Sequence, residues 1–363
     1  MKISGTHYRG IWHTPAGVVR IIDQSRLPFE FTISDLETVG DAAQAISKMA
    51  VRGAPLIGAT AAYGMALAMR AGHSDEDLAV AGRLLIATRP TAVDLSWAIA
   101  RMRDRLQDVA PGMRADRALE IAGEISDAYV VQCLAIGRHG MELIRAHWGA
   151  QRRFNILTHC NAGWLATVDW GTALSPVYCA HDAGLPVHVW VDETRPRCQG
   201  ASLTAFELGA HGVPHTVIAD NLGGHLMQRG EVDMVLVGSD RVTAAGDVCN
   251  KVGTYLKALA ARDNAIPFYA AMPISTIDWS IDGAADVPIE ERSPRELTHI
   301  TGRNAAGMVE TVRVIPEGSP ALNLGFDVTP ARLVTGLITE RGVCAANREA
   351  LRQACLDRVV GHA

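Results

Sequence analysis

The sequence predicts an α/β protein in two parts. A small β unit and a helical N-terminal domain occupy residues 1–150, and a Rossmann-like domain with an open parallel sheet occupies 151–363. Three observations carry this. A chain of 363 residues is long for one hydrophobic core and natural for two. Residues 34–146 read as helix after helix. From Phe154 onward, short apolar runs rich in β-branched residues alternate with helical stretches, the pattern of a parallel sheet.

In chain order, Tyr8-Arg-Gly-Ile-Trp-His, a Pro-Ala-Gly turn and Val18-Val-Arg-Ile-Ile-Asp predict a hairpin. Helices are expected over 41–50, 58–70, 74–87, 93–106 and 117–146, separated by loops such as Thr88-Arg-Pro-Thr and Ala110-Pro-Gly. The greasy stretch Ala54–Ala68 is rich in small residues, carries Tyr63 and reads as a packed helix, not a membrane span. Trp148-Gly-Ala-Gln-Arg-Arg breaks the last helix and places the domain junction near 148–153. The βα alternation is then expected to run to the C-terminus.

Four of the predicted strands end in ionisable residues: Asn155-Ile-Leu-Thr-His-Cys160, Val187-His-Val-Trp-Val-Asp192, Thr216-Val-Ile-Ala-Asp220 and Met234-Val-Leu-Val-Gly-Ser-Asp240. Open parallel sheets bind ligands beyond the carboxyl ends of their strands, so a thiol and several carboxylates converge on one rim. Cys160 there is either a small buried hydrophobe or a proton-transfer thiol. A helix starting near Trp164 would favour its thiolate. Asp240 follows so apolar a segment that desolvation would raise its pKa and suit it to donate a proton; the plainer readings are a helix cap or a pair with Arg241.

Gly246-Asp-Val-Cys-Asn-Lys-Val-Gly-Thr-Tyr255 reads as a loop leading into a helix, where Asn250, Lys251 and free backbone N–H groups would hold a phosphate. Arg52-Gly-Ala-Pro-Leu-Ile-Gly58 is a second candidate anion site: Arg52 is a charged fork, Gly53 permits close approach, and Pro55 suits a first helical turn. Arg89 alone carries no signal. In Asp192-Glu-Thr-Arg-Pro-Arg-Cys-Gln-Gly200, the acids and arginines are expected to pair partly with each other, and Gln199 could bind sugar hydroxyls. Period-two alternation turns His159 away from Cys160, toward a structural role.

The net charge of −5 gives no footprint for nucleic acid. No signal-peptide core is present, so a cytoplasmic location is expected. Seven cysteines without Cys-x-x-Cys spacing support neither a zinc site nor a disulfide framework, although a single disulfide stays open. No Gly-x-Gly-x-x-Gly follows a predicted strand, which argues against a nicotinamide-dependent dehydrogenase.

Taken together, the chain resembles the methylthioribose-1-phosphate isomerase family, a relative of the regulatory subunits of the eukaryotic translation-initiation guanine-exchange factor 2B. The blocks that carry the resemblance include Ala50-Val-Arg-Gly-Ala-Pro-Leu-Ile-Gly, Thr158-His-Cys-Asn-Ala-Gly, Asp192-Glu-Thr-Arg-Pro with Gln199-Gly, Gly238-Ser-Asp-Arg, Asn250-Lys-Val-Gly-Thr-Tyr and Phe326-Asp-Val-Thr-Pro. The resemblance implies that Cys160 and Asp240 are the catalytic pair, and that Arg52, Gly53, Ala54, Arg89, Gln199, Asn250 and Lys251 contact a sugar phosphate. It also implies a homodimer, no metal and no cofactor, and an aldose–ketose isomerisation serving methionine salvage. The chain departs from the family pattern at Asp94, Ser239, Ala245 and Leu324-Gly325. Isomerases of 5-deoxyribose 1-phosphate or ribose 1,5-bisphosphate, and a non-catalytic regulatory subunit, are the alternatives.

Overall fold

The computed structural model describes residues 1–89, 92–149 and 153–356. The expected N-terminal hairpin is present, with Ile11–His13 antiparallel to Val19–Ile22, and Ile33–Leu36 adds a third strand. Five helices follow: Val39–Ser47, Ala54–Ala71, Asp75–Ile86, Val93–Leu106 and Arg114–His147. Two begin in capping boxes. Thr38 with Asp41, and Ser74 with Asp77, exchange side-chain and backbone hydrogen bonds, satisfying amides that a helix start leaves open. Ala54–Ala71 is buried along nearly its whole length and packs against the other four helices, as its small residues allow. No helix among the described residues is long and apolar enough to cross a membrane. The expected junction near 148–153 falls largely on residues 150–152, outside the described residues.

Asp94 lies in the first turn of helix Val93–Leu106, beneath this core. It is 1% exposed, and neither carboxylate oxygen has a hydrogen-bond partner among the described residues. Burial raises its pKa from 3.8 to about 6; the Ser275 hydroxyl is near enough to oppose this in part, although it too lacks a well-formed hydrogen bond among the described residues. Because the folded pKa is the higher one, this group's favourable contribution is present below about pH 4 and is lost as pH rises through 6. Asp94→Asn removes that loss. Its melting temperature is expected to match the parent's near pH 4 and to exceed it by roughly 4 °C at pH 8, for about 3 kcal/mol of relief. Equal melting temperatures at pH 8 would refute this account.

The second half is built on a seven-stranded sheet. Its order is Gly342–Cys344, Gly336–Thr339, Phe268–Ala271, Met234–Val237, Phe154–Thr158, Val187–Asp192, His215–Ile218, all parallel except the first. All four strands read from the sequence are in it. The chain runs outward from Phe154–Thr158 in one direction and resumes on its other side at Met234–Val237. This topological switch opens a crevice at the carboxyl ends of those two neighbours.

The alternation does not run unbroken to the C-terminus. Arg241–Thr243, Val248–Lys251, Ile277–Asp278 and Phe326–Thr329 form a second, four-stranded sheet, and His299–Arg303 pairs with Val309–Arg313 in a separate hairpin. These strands are short and mixed in polarity, and every residue of Val309–Arg313 is exposed. They therefore lack the buried apolar run that marks the central strands. All seven cysteines are free thiols.

Candidate active site at the switch point

Cys160 and Asp240 follow the two strands that flank the switch, Phe154–Thr158 and Met234–Val237, whose register pairs Leu157 with Val235. Both residues line one cleft between the sheet rim and the helical half. Arg52, Gly53, Ala54, Arg89, Gln199, Asn250 and Lys251 line it too. All nine candidates read from the sequence are thus brought together.

Cys160 sits in left-handed backbone geometry, φ +67°. A side chain disfavours that region by about 1–2 kcal/mol, so neighbours must hold it. Its N–H donates to Thr194 Oγ at 2.8 Å, and its carbonyl accepts from Thr204 Oγ at 2.7 Å. The Sγ lies 3.5 Å from Gln199 Oε1.

The short helix at Trp164–Ala166 does not serve the thiol as expected. Its Trp164 and Leu165 amides donate to the buried carboxylate of Glu207 at 2.8 and 2.9 Å. The turn at Cys160 also breaks the strand's alternation. His159, expected to face away, lines the cleft, with Nδ1 2.9 Å from Asp192 Oδ2 and Nε2 2.9 Å from the Val252 carbonyl.

Asp240 keeps solvent-accessible surface at the cleft wall, while the protein atoms packed near it still desolvate it. Water therefore screens it less than an outer-surface carboxylate. Burial pushes its pKa up, against the pull of Lys251, Arg52 and Arg89. It is not a partner of Arg241, which pairs with Asp278 at 3.0 Å.

Positive charge crowds round it. The Arg52 guanidinium is buried and grips Asn161 through both its side-chain oxygen and its carbonyl. Lys251 is buried, donates to the Gly325 carbonyl at 2.8 Å and lies 4.8 Å from the centre of the Phe326 ring. Neither cation has a carboxylate partner within ion-pair distance among the described residues. Arg89 lies 3.5 Å from Glu290, and Pro90 and Thr91 beyond it fall outside the described residues. Gly53 caps Ala54–Ala71 at φ +93°, and a Cβ there would lie 2.2 Å from the Ala166 carbonyl. Only glycine fits that approach.

Asn250 and Lys251 are placed differently from the expected loop. They end the strand Val248–Lys251, and helix Thr254–Asp263 follows after a glycine turn. The helix's leading amides are taken: Asp327 accepts from Gly253 N at 2.6 Å and from Tyr255 N at 3.2 Å. Anion affinity here therefore falls to the Lys251 ammonium and the Asn250 side chain.

The charged turn after Asp192 also pairs outward. Asp192 meets His159 and Lys257 Nζ, the latter at 3.1 Å, and Arg197 meets Glu296 at 3.0 Å. His159, Asp192 and Asp220 approach closely enough to hold a cation. The Lys257 ammonium already sits against Asp192, and Asp220 accepts the Thr194 and Arg195 amides at 2.7 Å each.

Of the departures from the family pattern, Gly325 meets Lys251 through its backbone, which leaves that contact independent of side chain. Ser239 donates to the Arg241 carbonyl at 2.9 Å. Glu207 and Asn161 were not singled out by sequence reasoning. A glutamate in a helical stretch reads as solvated, and only tertiary packing shows it buried.

Comparisons with known proteins follow the same line. The initiation factor 2 subunit family matches residues 50–346. The methylthioribose-1-phosphate isomerase of Acidiphilium cryptum is 65% identical, covering 99% of each chain. That of Methylobacterium nodulans is 62% identical, again over 99% of each. Among solved structures, the 5-methylthioribose 1-phosphate isomerase of Pyrococcus horikoshii superposes with a TM-score of 0.85 at 38% identity, covering 96% of each chain. The translation initiation factor eIF-2B subunit delta from A. fulgidus gives 0.81 at 37% identity, covering 96% of this chain and 99% of that one.

Proposed function

The chain belongs to the initiation factor 2 subunit family and, within it, to the methylthioribose-1-phosphate isomerases; on that premise we propose how its cleft performs the reaction. The enzyme converts 5-methylthioribose 1-phosphate into 5-methylthioribulose 1-phosphate, a step of methionine salvage. The observation that carries this reading is the convergence on one cleft of a thiol, an acid with a raised pKa and two buried cations that have no ion pair among the described residues.

Phosphate on the anomeric oxygen leaves no free aldehyde, so the site must open the ring. Asp240, whose pKa burial raises, donates its proton to the ring oxygen as the bond from C1 to that oxygen breaks. The cationic C1 then gains hydrogen by one of two routes. Cys160 removes the C2 proton, giving an enol that takes a proton at C1 as its O2 proton leaves to a neighbouring base, or hydride shifts from C2 to C1 while a neighbouring base takes the O2 proton. Arg52, Lys251, Asn250 and Arg89 hold the phosphate, and Gln199 holds a sugar hydroxyl beside Cys160. Water must be excluded during the cationic stage. Residues 1–150, as a domain closing on 151–363, supply that cover. The same reading makes the enzyme a cytoplasmic homodimer that needs no metal or cofactor.

The deciding experiment follows ketose formation by NMR from 5-methylthioribose 1-phosphate, 5-deoxyribose 1-phosphate and ribose 1,5-bisphosphate. The expected result is a kcat/KM highest for the methylthio substrate. A higher value for either of the others reassigns the substrate, and no ketose from any of them points to a regulatory subunit.

A further inference from the structure

We propose that Glu207 is a positioning residue that aims the Arg52 guanidinium into the cleft by fixing which way the Asn161 amide faces; this rests on the reading above, in which Arg52 binds the substrate phosphate. Glu207 is fully buried and does not itself line the cleft; it reaches the cleft through Asn161, which does. Its two oxygens meet four donors. Oε1 accepts from Asn161 Nδ2 and Leu165 N, each at 2.9 Å. Oε2 accepts from Trp164 N at 2.8 Å and Tyr178 Oη at 2.9 Å. Burial pushes its pKa up to about 7, while these four donors pull it back down by favouring the ionised carboxylate, which offers acceptors only.

The Asn161 amide has two ends with opposite chemistry. Its NH2 end faces Glu207 and, at 3.2 Å, Thr204 Oγ. The Thr204 hydroxyl proton is committed to the Cys160 carbonyl, so its oxygen accepts from Asn161. Both partners of the NH2 end are therefore acceptors, and the oxygen end is left to Arg52. Turned over, Asn161 would set its oxygen against the carboxylate and its NH2 against a guanidinium, donor against donor.

Local structure builds this chain of contacts. Gly200–Thr204 is a π-helical turn, continued as helix Ala205–His211. It carries Gln199, Thr204 and Glu207 on one short stretch beneath Cys160. The loop after Cys160 passes tight against the carboxylate: a Cβ on Gly163 would lie 1.8 Å from Glu207 Oε2.

The test is a kinetic double-mutant cycle in the full-length enzyme. Glu207→Gln is expected to raise KM about tenfold with kcat changed less than about threefold. Combined with Arg52→Ala, it should add no further rise in KM, because its effect passes through Arg52. An unchanged KM in a folded Glu207→Gln enzyme, or effects that multiply in the double variant, would overturn the proposal.

If Glu207→Gln does not fold, Asn161→Ala keeps the Trp164, Leu165 and Tyr178 contacts and should raise KM by the same factor; a parental KM there rejects the link. Crystal structures separate this proposal from the functional one. Should the parent enzyme make no ketose, the functional reading fails, yet Asn161→Ala must still show Arg52 displaced. Arg52 unmoved in that variant overturns the positioning role whatever the substrate.

Discussion

Cys160→Ser is expected to lower kcat by about 10³-fold while leaving KM and the melting temperature close to the parent's. Serine fits the space and keeps the backbone bonds to Thr194 and Thr204 that hold the φ +67° turn, so folding and binding survive. What changes is acidity. A hydroxyl deprotonates far less readily than a thiol, so it is a poor base near neutral pH. Substrate deuterated at C2 shows which step is lost. With Cys160 as the C2 base, the deuterium exchanges into solvent. Deuterium carried intact to C1 identifies hydride shift and moves the thiol to another role. Parental turnover in the serine variant would remove Cys160 from the mechanism.

Asp240→Asn is expected to cost about 10³-fold or more in kcat, because the amide keeps shape and hydrogen bonding and loses the transferable proton. The parent's pH profile supplies the second readout. Burial raises the Asp240 pKa while Lys251, Arg52 and Arg89 hold it down. Kcat/KM should therefore fall on the alkaline side as Asp240 ionises, and the residual activity of the amide variant should lack that limb. Lys251→Met removes the largest of the opposing charges and should move the limb to higher pH. An Asp240→Asn enzyme with an unaltered alkaline limb assigns the acid to another group.

Much of the framework was legible along the chain. Runs such as Ile156-Leu157 and Met234-Val-Leu-Val237 are apolar because both faces of a central parallel strand are covered, and that composition marks them without further information. Their chemistry-bearing ends were legible for the same reason: a thiol and a carboxylate stand where the apolar run stops. The second sheet was not legible. Val248–Lys251 is a strand because Arg241–Thr243 and Phe326–Thr329 pair with it from both sides, one of them more than seventy residues away. Its local sequence reads equally well as a loop before a helix.

The helix starts taught a similar lesson. Sequence shows where amides are freed, at Trp164 and after Gly253, and leaves open what meets them. Glu207 and Asp327 arrive from distant segments and take those amides, so neither start is free for the thiol or for phosphate. The reverse holds for Ala54–Ala71, whose Gly53 cap lends no side chain, and whose position beside Arg52 was readable from Arg-Gly-Ala-Pro.

The chain by itself determined the succession of its central strands and helices, through local hydrophobic pattern, and its family, through contiguous motifs; the resemblance to that family in turn implied the nine residues that meet at the cleft. Folding alone decided the orientation of His159, the second sheet, the capture of both helix starts and the Glu207–Asn161–Arg52 contacts. Each of these depends on which polar group finds a partner once water is gone, and that partner lies tens of residues away in sequence.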